Sequence, residues 1–106
     1  MKETITLRFG RNNRHNIILP RNVAISLKIE MDYLSALCGK DFAKGNTAED
    51  AETRHTFILG MLSMMATMSI ITPDEKTAIV DLVYDILHSA VHPGYDYCTH
   101  YEFKED

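Results

Sequence analysis

The residues predict an α+β fold in which an amino-terminal β-hairpin and a carboxy-terminal strand form a small antiparallel sheet packed on two or three helices, in the order β-β-α-α-α-β. Three observations carry this expectation. "TITLRF" alternates polar and apolar residues, "TPDE" has the form of a helix capping box, and the tail "YDYCTHYEF" alternates again after two long apolar segments of helical character. With 106 residues, 45% of them apolar and 25% charged, the chain fits one compact domain spanning 1–106, able to bury roughly two thirds of its unfolded surface.

The first strand runs from Thr4 to Phe9 and puts Ile5, Leu7 and Phe9 on one side. "GRNNRHN" then supplies turn chemistry, because Gly and Asn tolerate positive φ, and "IIL" resumes a β-prone run until Pro20, whose missing N–H would interrupt a central strand. A hairpin follows, with an exposed basic tip at 10–16.

The segment "NVAISLKIEMDYLSALCGK" supports two readings. Val23, Ile25, Leu27, Ile29, Met31 and Tyr33 alternate as a strand would, yet Lys28, Asp32, Ser35 and Gly39 share one stripe of a helical wheel. Pro20 suits a first helical position and Gly39 suits the position after a Cys38 stop. The Leu, Met and Ala content of 27–37 favours a helix over 23–37, with a long third strand as the alternative.

After the loop "KDFAKGN", Thr47 is placed as the cap of a second helix running to Ile70. It is apolar on most faces and rich in methionine (Met61, Met64, Met65, Met68), with one narrow stripe of small or polar residues at Glu49, Thr53, Thr56, Gly60, Ser63 and Thr67. Methionine fills cores and also lines adaptable protein-binding surfaces, so any apolar girth left uncovered would be a dimer seam or a partner groove.

Thr72, Pro73 and Glu75 open a third helix ending near Val91, with Ile79, Leu82, Val83, Ile86, Leu87 and Ala90 as its buried side. The short connection makes helices two and three an antiparallel hairpin. The turn "HPGYD" leads into a tail strand with Tyr95, Tyr97, Tyr101 and Phe103 on one face and Asp96, Cys98, His100 and Glu102 on the other.

Charge is segregated. Residues 1–28 hold six Lys or Arg against Glu3 alone, a balance of +5 in a chain of formal charge −4, so the remainder sums to −9. Such a basic segment suits an anionic partner, either an acidic protein surface or nucleic acid. The candidate binding residues are Arg8, Arg11, Asn12, Asn13, Arg14, His15 and Arg21.

Chemistry is sparse by comparison. Asp81, Asp85, His88 and His92 share the polar stripe of the third helix and are of metal-ligating type, but a solvated helix face looks the same and no standard zinc spacing occurs. Cys38 has no histidine nearby in sequence, and although Cys98 lies two residues from His100, no nucleophile-elbow, P-loop or dinucleotide motif accompanies them. The expectation is a protein with no catalytic role, no metal and no cofactor.

"FILGMLSMMATMSII" is shorter than the roughly 18 residues of a membrane span, the amino terminus lacks a secretory h-region, and two cysteines make no disulfide framework. A cytoplasmic setting without membrane attachment is expected, with homo-oligomerisation open.

The run "IILPRNVAISLKIEMDYLSAL" resembles the strand, Leu-Pro junction and first helix of ribbon-helix-helix repressors. The resemblance spans Asn16 to about Leu37, while the preceding strand and the long third helix depart from that family, so no DNA contact is carried over. In general character the chain is similar to the small accessory proteins of phages and plasmids that inhibit or modulate a host enzyme or complex. Two functions are therefore expected in order: a protein-interaction module of that kind, and a nucleic-acid-binding transcriptional regulator using the basic hairpin.

Overall fold

The computed structural model describes residues 3–39, 42, 47–92 and 94–106. Strands β1 (Thr4–Phe9), β2 (His15–Pro20) and β3 (Tyr101–Glu105) and helices α1 (Arg21–Leu37), α2 (Thr47–Thr67) and α3 (Pro73–Val91) follow in the order β-β-α-α-α-β. The sheet is antiparallel throughout, in the spatial order β2-β1-β3. Central β1 pairs Leu7 with Ile17 on one side and with Phe103 on the other.

Alternation gives the sheet two unlike faces. Ile5, Leu7, Phe9, Ile17 and Leu19 are buried against the helices. Thr6, Arg8, Asn16, Ile18, Glu102 and Lys104 lie on the open face, where register sets Arg8 opposite both Asn16 and Glu102. One contiguous core joins the inner sheet face to Leu27, Met31 and Leu34 of α1, Ile58 and Leu62 of α2, and Ile79, Val83 and Ile86 of α3. No polar residue is buried as a whole among the described residues, so the core is held by apolar burial.

Residues 23–37 are helical. Their buried positions, Ala24, Leu27, Met31 and Leu34, recur at three and four. Half of the alternating apolar set, Ile25, Ile29 and Tyr33, is left exposed. Pro20, expected inside the helix, instead closes β2 and stands at the cap position, where its missing N–H costs no bond. At the other end Cys38 is the cap and Gly39 bonds back to the Ala36 carbonyl at 3.2 Å.

α2 begins with Thr47 already inside the helix rather than as its cap, the preceding cap position lying outside the described residues, as does most of the loop expected over 40–46. It also stops short of Ile70. Ser69 takes a left-handed φ of 59°, and the Ser69 and Ile70 amides bond to the Ala66 and Met65 carbonyls, which ends the helix by a Schellman turn with serine where glycine is usual. α3 has the expected ends, and its capping box is complete: Glu75 N–H donates to Thr72 Oγ1 at 3.1 Å and Thr72 N–H to Glu75 Oε1 at 2.8 Å. Ala90 is only half-buried.

The tail strand is shorter than its alternation implies. Pairing runs only from Tyr101 to Glu105, because β1 ends at Phe9 opposite Tyr101 and residues before Tyr101 have no strand edge to meet. β3 is clamped to α1 by Tyr101, whose hydroxyl donates to Asp32 Oδ1 at 2.7 Å and lies 3.1 Å from Ser35 Oγ. Burial pushes that phenol up to about 12, with Ser35 pulling it down and Asp32 adding to the rise. Burial opposes ionisation of Asp32, yet hydrogen bonds from Lys28 and Tyr101 outweigh it and hold the carboxyl below its ordinary value. No helix among the described residues is long and apolar enough to cross a membrane.

Candidate functional site

The hairpin tip is an ordered turn. Gly10 (φ 87°) starts it, Arg11–Asn13 form a short 3-10 turn, and Asn12 and Asn13 both take left-handed φ, near 58° and 51°. Glycine is required at position 10, since a Cβ there would come within 2.9 Å of the His15 ring. That ring stacks on Phe9 with centroids 4.8 Å apart. Asn13 N–H donates to the Gly10 carbonyl, and Asn16 Nδ2 donates to the Asn13 carbonyl at 3.0 Å, so the tip holds itself together. Residues 11–14 are all exposed.

Three of the four candidate arginines meet carboxylates of the tail. Arg8 Nε donates to Asn16 Oδ1 at 3.0 Å and its guanidinium lies 3.6 Å from Glu102. Arg11 pairs with Asp96 at 2.9 Å and also donates to the Asp96 carbonyl. Arg21 pairs with Glu105 at 2.5 Å. These are surface pairs, each worth little net stability. Arg14 donates through Nε to His15 Nε2 at 3.2 Å and is otherwise exposed. Asn12 and Asn13 are exposed beside it.

A cleft of about 430 Å3 separates the tip from α3. Phe9, Arg11, Arg14 and His15 line one side, Asp74, Asp81, Leu82 and Asp85 the other, with Cys98 between. Burial raises the Asp85 carboxyl, the Asp81 carboxylate raises it further, and His88 partly offsets both. Cys98 and His100 also border a shallow hollow with Gly10 and Asn12 on the tip's flank. The site is thus a basic projection held by its own hydrogen bonds and ringed by the chain's own carboxylates.

The four metal candidates divide between two surroundings. Asp81 and Asp85 face the cleft, while His88 stacks on Tyr84 at 3.8 Å and neighbours His92 at 5.2 Å. Among the described residues no three His, Cys, Asp or Glu side chains converge as metal ligands. Burial pushes the Cys38 thiol up, which makes it a poor nucleophile.

Two features were not legible in the sequence. Tail carboxylates Asp96, Glu102 and Glu105 find the arginines across more than 80 residues of chain, and nothing in the sequence pairs them. A ring ladder, His55, Tyr84, His88 and His92, joins α2 to α3, foreshadowed only by the four-residue spacing of its α3 members. No protein-family model, no curated protein and no solved structure matches this chain.

Proposed function

We propose that this chain is a non-catalytic protein-interaction module that docks its hairpin tip on an acidic surface of a larger protein and so inhibits or modulates it, in the manner of phage- and plasmid-type accessory proteins. The supporting observation is the tip itself: it is exposed over 11–14, held by its own hydrogen bonds, and contributes no side chain from those positions to the core. A projection that bonds to itself and gives no side chain to the core is suited to recognition, because a preformed turn loses little order on binding.

The surrounding charge favours protein over nucleic acid. Asp74, Asp81, Asp85, Asp96 and Glu102 border the arginines, and this ring repels a phosphate backbone along its whole length, whereas a compact cluster of partner carboxylates that meets only the projecting tip feels less of it and can displace Asp96 and Glu102 from Arg11 and Arg8.

The double substitution Arg11→Ala with Arg14→Ala tests this reading. Stability is expected to change by less than about 0.5 kcal/mol per site, while capture of the partner from the native host's lysate is lost, as arginine is enriched among interface hot spots. Duplex DNA binding measured at two salt concentrations separates the regulator: an affinity whose salt slope falls by about one per arginine removed would replace the protein-docking reading. A variant that folds and keeps both its partner and its indifference to DNA would make the tip a plain solvated turn.

A further inference from the structure

A second surface, sharing no residue with the tip, lies where α1 and α2 pack side by side. Ile25, Ile29 and Tyr33 of α1, Phe57 and Met64 of α2, and Met68 just after it are large apolar side chains left 42% to 63% exposed. Arg54 bridges the two helices by lying over the rings of Tyr33 (4.8 Å) and Phe57 (5.4 Å). Between the helices runs a groove of about 620 Å3, lined by Val23, Phe57, Gly60, Met64 and Met68 among others. Taking roughly 200 Å2 for a fully exposed side chain of this size, the six exposures amount to about 650 Å2. That is near a tenth of the 6596 Å2 surface of the chain and approaches the roughly 800 Å2 per partner of a stable interface.

We infer that this face is a two-fold interface with a second copy of the same chain, α2 crossing its symmetry mate antiparallel near Gly60. The area is that of a dimer seam, larger than a loose contact needs. The surface is also self-complementary, as a two-fold contact must be: Phe57 and Met64 project on either side of Gly60, where a Cβ would meet nothing within 4 Å, so each copy offers knobs and a hollow on one helix. Most polar groups there are already engaged within the chain. Thr56 and Thr67 hydroxyls donate to the Glu52 and Ser63 carbonyls, and Arg54 is paired with Glu30 at 2.5 Å, its Nε alone being buried with no hydrogen-bond partner. Charge sets the direction. Glu49, Asp50 and Glu52 crowd the start of α2 and its last turn has no charge, so an antiparallel crossing separates the two acidic ends where a parallel one would oppose them.

Light scattering and sedimentation equilibrium on the full chain test this. Wild type is expected at twice 12.1 kDa, and Phe57→Glu and Met64→Glu, both at exposed positions, should keep the wild-type circular dichroism while weakening association about thirtyfold or more. A wild type that stays at 12.1 kDa at every soluble concentration overturns the inference, as does a dimer indifferent to both variants, or a monomer that uses Met64 to hold a different protein. Orientation is read by cross-linking in a Cys38→Ala, Cys98→Ala background. Chains with Thr53→Cys should link to chains with Thr67→Cys in a mixture, and self-linking of either variant alone would sink the antiparallel arrangement.

Discussion

α2 and α3 are neighbours of nearly equal length, 21 and 19 residues, yet their sequences inform very differently about burial. α3 has one apolar stripe, and Ile79, Leu82, Val83, Ile86 and Leu87 on that stripe are the residues it buries. α2 is apolar on most faces but buries only Ala51, Ile58, Leu62 and Met65, leaving Phe57 and Met64, and Met68 just past its end, exposed. The difference teaches that amphipathic patterning marks the covered side of a helix, whereas an all-round apolar helix states only that more cover is needed than one sheet and two helices supply. Met65 and Met64, adjacent in sequence, are 5% and 61% exposed. Hydropathy cannot tell them apart.

Substitutions on the two helices sharpen this contrast. The largest effect is expected for Leu62→Ala, which empties a fully buried position of α2 and should cost about 2 to 5 kcal/mol, against less than about 0.5 kcal/mol for Met64→Ala in the monomer; urea unfolding midpoints compare the two. Equal costs would mean that α2 is covered on both sides. Thr72→Ala removes the cap of α3 and should cost about 1 kcal/mol, read as a lowered Tm.

Gly60→Ala should stabilise α2 by about 0.5 to 1 kcal/mol through helix propensity, because the added methyl enters open space in the single chain. If it destabilises dilute protein, a segment of the chain itself covers the stripe. In the dimer the same methyl enters the seam, so the gain should shrink as protein concentration rises.

The smallest effect concerns His55, which faces α3 from α2. Burial, and then His88, hold its imidazole below the ordinary 6.5, and its Nε2 is buried with no hydrogen-bond partner. The unfolded chain therefore takes up this proton more readily than the folded one. The contribution is present above about pH 6.5 and is lost as pH falls through the lower folded value. Replacing His55 with Leu should flatten the decline in Tm between pH 7 and pH 5. An unchanged decline would assign it to other groups.

The hairpin, the α3 capping box and the element order were set by signals that act over a few residues: turn-forming Gly and Asn, a cap three residues from its partner, and alternation along a strand. Gly10, Asn12 and Asn13 do take positive φ, and Thr72 and Glu75 do bond reciprocally, because those geometries depend on neighbours in sequence. Elsewhere the local signal supported two answers and tertiary packing chose. In 23–33 strand-like alternation and helical spacing coexist; once the helix forms, Leu27 and Met31 are buried, while Ile25, Ile29 and Tyr33 remain as the exposed apolar face. The surplus that made the segment ambiguous is the same surplus that makes a surface. β3 begins at Tyr101 and not near Tyr95 because the end of β1 decides how much strand can pair. The candidate site divides in the same way: sequence alone determined that the tip is basic and exposed. That Asp96, Glu102 and Glu105 meet its arginines was decided by the return of the tail beside β1, since an ion pair depends on distance in space and sequence supplies only distance along the chain.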